Sequence, residues 1–75
     1  MTDTVVRAKF IRELGAVQDD MVRLGSMVDN ALQHSIDALQ YRDADIAHSV
    51  IAGDGQINDL RFQIEEDCTK LIAMQ

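Results

Sequence analysis

Met21-Val-Arg-Leu-Gly-Ser-Met-Val-Asp-Asn-Ala-Leu-Gln33 lies at the centre of a longer periodic segment that runs from Phe10 to Ala38. Along that segment Phe10, Leu14, Val17, Met21, Leu24, Val28, Ala31, Ser35 and Ala38 follow one another at alternating steps of four and three. This is the period of an α-helix that lays one seam against partner helices. Every member of the series except Ser35 is apolar. A strand would instead alternate every second residue, so this stretch alone predicts an all-α chain.

Working outward from the seam, further apolar residues lie beside it. Ile11, Leu32 and Leu39 fall on one flank, and Met27 and Tyr41 on the other. An apolar face wider than two positions per heptad suits a globular bundle better than a two-stranded coiled coil. The spacing predicts a first helix from about Thr4 to Gln40, about 55 Å long at 1.5 Å per residue. Thr2 or Asp3 can cap it, because a short side-chain oxygen accepts from an unpaired amide of the first turn. Gly15 and Gly25 sit inside this helix at a cost of up to about 1 kcal/mol each. They are read as tolerated, and Gly25 as the alternative site of close approach by a neighbouring helix. Arg12, Asp19, Arg23, Asn30 and Asp37 face outward as a solvated row.

Tyr41-Arg42-Asp43 is the turn, and Asp43 is a good cap for a second helix. So short a connection makes the two helices antiparallel neighbours. The second helix is expected from Asp43 to about Met74. Its seam is Ile46, Val50, Ile57, Leu60, Ile64, Leu71 and Met74, flanked by Ala47 and Cys68, and its frame also passes through Gly53 and Asp67. Gly53-Asp54-Gly55 is the one weak point, where a turn followed by a third helix is the alternative. The frame stays in phase from Val50 to Ile57, which favours one continuous or kinked helix. The expected fold is therefore a single domain over residues 1–75, a long antiparallel helical hairpin. Its broad apolar face calls for more helices than two, supplied by self-association. The sequence stops at Leu71-Ile-Ala-Met-Gln75, inside a periodic segment and without a glycine stop signal, and that ending reads as cut.

Composition narrows the function classes. Seventy-five residues make one small domain, a size at which disulfides, a metal or oligomerisation usually add stability. The single cysteine, Cys68, excludes an internal disulfide. The formal charge of −6, from 13 acidic and 7 basic residues, disfavours nucleic acid and anionic lipid, which need clustered Lys and Arg. No window approaches the roughly 18 apolar residues of a membrane span. Met1-Thr-Asp-Thr4 lacks a signal-peptide pattern, so a cytoplasmic location is expected.

The residue types that carry chemistry are scattered. His34 and His48 lie on different helices, either side of the turn. His48 has Asp45 three residues before it, but Ala52 stands where a further ligand would fall, and metal sites usually draw three or more ligands. Cys68 flanks a seam as a small hydrophobe with no histidine near it in sequence. Asp67 falls on a seam position and is expected at a solvated bundle end or paired with a base such as Lys70. Asp54, Asn58 and Glu65 match a calcium loop in part, but Asp59 stands where the loop needs glycine, and the seam makes this stretch helix. Leu60-Arg61 followed by Ile64-Glu65 is similar to the opening helix of all-helical chorismate mutases. Those enzymes carry further catalytic Arg and Lys residues, whereas only Lys70 follows here. No catalytic, cofactor-binding or metal-ligating residue is therefore predicted, and the chain is not read as an enzyme.

In order, the segments resemble the first part of a PhoU-type phosphate-signalling regulator. Phe10-Ile-Arg-Glu-Leu14 is similar to the family's opening. Met21-Val-Arg-Leu-Gly25-Ser-Met-Val28 is similar to its core, with Val22 and Leu24 standing for a leucine and a methionine. Ala31 to Leu39 then precedes Arg42-Asp43. Ile46-Ala47, Val50-Ile51, Asp54, Ile57-Asn58 and Leu60 follow the second helix, and Ile64-Glu65 leads to Leu71-Ile-Ala-Met-Gln75. The resemblance covers residues 10–75. It implies the first two helices of a three-helix repeat and a cytoplasmic negative regulator of phosphate uptake and starvation signalling. By the same resemblance, the partners are the ATPase subunit of a phosphate ABC transporter and a sensor histidine kinase. Relatives that bind iron or zinc do so through a Glu-x-x-x-Asp pattern on a helix beyond this stretch, so no metal role passes to any residue here. At Asp54, which matches a recurrent family position, a capping or interhelix role is expected. The alternative is a structural two-helix module that dimerises and has no phosphate role.

Overall fold

Two helices account for nearly all of the chain. The computed structural model describes residues 2–73, with side chains from Asp3 onward. Helix α1 spans Thr2–Tyr41 and helix α2 spans Ala44–Ala73, packed against each other. The hairpin measures 61 × 15 × 12 Å. Its radius of gyration is 17.5 Å, against about 11 Å for a compact domain of this length. The all-α antiparallel hairpin predicted by the seams is the fold observed.

The connection is tighter than the three residues expected, because α1 continues through Tyr41. Arg42 adopts a left-handed backbone at φ 52°, and the Asp43 amide donates back to the Ala38 carbonyl at 3.0 Å. That is the closing bond of a Schellman turn, made without the usual glycine. Asp43 then starts α2. Its carboxylate accepts from the amides of Asp45 at 2.9 Å and Ile46 at 3.2 Å, and its carbonyl accepts from Ala47 at 3.2 Å. One aspartate thus closes one helix and caps the next, as its position in the sequence suggests.

α1 begins before the expected Thr4, so Asp3 lies in its first turn, where a carboxylate favours the positive end of the helix dipole. Capping by the Thr2 side chain and the end of α2 at Met74 both lie outside the described residues. Gly53-Asp54-Gly55 neither breaks nor ends α2, which runs through without interruption. The in-phase seam outweighs the glycines: along α2, Ile46, Val50 and Ile57 are half-buried and Leu60, Ile64 and Leu71 are buried.

The core is short. Val17, Leu60, Ile64 and Leu71 form a buried cluster, with Phe10, Leu24, Met27 and Cys68 packed at its edge, and Ala38 is buried near the turn. The α1 seam divides. Its members at seven-residue steps, Phe10, Val17, Leu24, Ala31 and Ala38, meet α2. Leu14, Met21 and Val28 turn to the side and are 37%, 55% and 40% exposed. A single neighbour touches only a narrow stripe of a helix, so a face built for several neighbours stays partly bare. Ser35, the polar member, satisfies its hydroxyl on the Ala31 carbonyl at 2.7 Å.

Candidate interaction surface

The two long sides of the hairpin differ in chemistry. On one side the groove between the helices is apolar at both ends. Near the free ends a cleft of about 350 Å³ is lined mainly by apolar residues, among them Phe10, Leu14, Met21, Leu71 and Ile72, with Gln18 as its polar member. Near the turn a second, of about 280 Å³, is lined by Ser35, Ala38, Leu39, Ala47, Val50 and Ile51. On the α1 wall Leu14, Met21, Val28, Leu32 and Leu39 are exposed one after another. They follow steps of four and seven and so share a face. The opposite groove is mixed. One cleft is lined by Met27, Asn30, Ala31, His34, Val50 and Ile57, a second by Arg23, Asp59, Leu60 and Gln63, and a third by Glu13, Ala16, Val17, Asp67 and Lys70.

The α2 wall of the apolar side changes character at its middle. Ala47, Asp54, Arg61 and Cys68 recur at steps of seven and share a strip; the outer two line the apolar clefts and the inner two are charged. Asn58 donates to Asp54 at 3.3 Å, and Arg61 donates to Glu65 at 2.8 Å while its guanidinium sits 4.5 Å from the centre of the Phe62 ring. Exposed pairs of this kind, four residues apart on a helix, each contribute only about 0.3–0.5 kcal/mol. Their consequence is placement: this band keeps its charges solvated beside an apolar strip.

Each candidate named from sequence now has a location. His34 and His48 are exposed, His34 in the mixed groove opposite the apolar side. Asp45 spends its carbonyl on the Ser49 hydroxyl at 3.1 Å. Among the described residues no three His, Cys, Asp or Glu side chains converge as a metal-binding group. Cys68 is half-buried in the wall of the apolar groove. Asp67 is half-buried but does not pair with Lys70. It accepts from the Gln63 amide at 3.0 Å, and Lys70 reaches Glu66 at 3.4 Å, because side chains four apart on a helix stack directly. Asp54 is exposed and neither caps nor bridges helices; its partner is Asn58, one turn on in the same helix. Gly25 has nothing within 4 Å of where a Cβ would sit, so α2 makes no close approach there. Arg61, the residue shared with the mutase pattern, is engaged with Glu65 and Phe62 rather than aimed into a cleft.

Periodicity places Met27 on a flank of the seam, whereas in the structure it packs on the core edge. The polar band of α2 is not part of any seam, yet Asp54–Asn58 and Arg61–Glu65 both carry the four-residue spacing that marks it. Among the described residues no helix is long and apolar enough to cross a membrane.

Comparison with known proteins adds a family-level match. The model of the PhoU domain matches residues 21–75. A phosphate-specific transport system accessory protein PhoU from Edwardsiella tarda is 34% identical over 65 residues, which cover 87% of this chain and 27% of that protein. The protein of the same name from Escherichia coli K12 is 32% identical over 68 residues, covering 91% of this chain and 28% of its own length. A homolog from Clostridium acetobutylicum is 31% identical over 71 residues, covering 95% and 32%. The chain therefore spans between a quarter and a third of the length of the relatives it matches. No solved structure matches it.

Proposed function

The chain belongs to the PhoU domain family, and from that membership we propose that it works as an accessory regulator of phosphate transport by binding other proteins. The observation that carries this reading is the family match over residues 21–75, joined to relatives named as accessory proteins of a phosphate-specific transport system. The surface agrees with a binding role. Its prominent feature is an open apolar strip rather than an enclosed cavity with converging polar groups, which is the usual form of an active site. In this reading the chain acts in the cytoplasm as a negative regulator of phosphate uptake and starvation signalling. Its partners are the ATPase subunit of a phosphate ABC transporter and a sensor histidine kinase. It acts as part of a larger helical assembly, with its exposed apolar face covered, and has no catalytic activity. In this reading no metal is assigned to it; among the described residues His34, His48 and Cys68 do not join other His, Cys, Asp or Glu side chains in a metal-binding group.

The test is retention of the purified transporter ATPase and of the kinase cytoplasmic region on immobilised chain. Retention of either, competed by the free chain, is the expected result. A chain that self-associates but retains neither protein is a structural dimerisation module, and the phosphate role is then withdrawn.

A further inference from the structure

We draw no further inference here: the strongest candidate, the exposed apolar strip of α1 from Ile11 to Leu39 beside the polar band of α2, carries none because nothing in the structure shows what covers it.

Discussion

Arg42 and Asp43 decide how the chain turns back on itself. Arg42 holds φ 52° with a full side chain, and the left-handed region costs a non-glycine residue about 1–2 kcal/mol. Arg42→Gly is therefore expected to stabilise the hairpin by about 1 kcal/mol, seen as a higher denaturant midpoint with unchanged slope. Asp43 supplies two cap bonds to α2 amides. Asp43→Ala is expected to cost about 1 kcal/mol, whereas Asp43→Asn, which keeps an acceptor, costs much less. The aspartate was legible in the sequence because a cap residue stands where periodicity restarts. The strained arginine was not, since glycine normally announces that backbone and none is present at the turn.

At the scale of the element, α2 shows how a seam overrides local propensity. Gly53 and Gly55 sit within one turn of helix with nothing near their missing Cβ atoms. Gly55→Ala is thus expected to raise stability by about 0.5–1 kcal/mol, since only the glycine's backbone entropy is at stake. The buried side of the same helix behaves in the opposite way. Ile64 is 8% exposed and lies in the four-residue cluster with Val17, Leu60 and Leu71. Ile64→Ala is expected to cost about 2–4 kcal/mol by lost transfer energy and an unfilled cavity, enough to unfold much of the population of so small a domain at low concentration. Both outcomes are measured by circular dichroism during urea titration.

For the whole molecule, the elongated shape sets the thermodynamics. A hairpin with a radius of gyration of 17.5 Å and five buried hydrophobic residues among those described has little core for its length. If its strip is covered by another copy, folding and association are linked, and stability depends on protein concentration. The thermal midpoint is expected to rise steadily as the chain is concentrated; a midpoint independent of concentration would show that the hairpin is stable alone.

The period of four and three in Phe10 to Ala38, its continuation through Ile46 to Leu71, and Asp43 between them determined by themselves the helical class and the antiparallel hairpin, and favoured a continuous or kinked second helix over a break at Gly53-Asp54-Gly55; that it is unbroken is a finding of the structure. These follow from local stereochemistry, because a helix presents fixed steps of sequence on one face whatever lies opposite. The ordered segments also carried the family resemblance, which the match over residues 21–75 bears out. What only the tertiary structure decided is how the wide face is shared. Periodicity cannot distinguish Val17 and Leu24, which meet α2, from Leu14, Met21 and Val28, which remain exposed, since all obey the same spacing. That division depends on where a single neighbouring helix sits. It also places the polar band of α2 beside the bare strip of α1, with open space at Gly25.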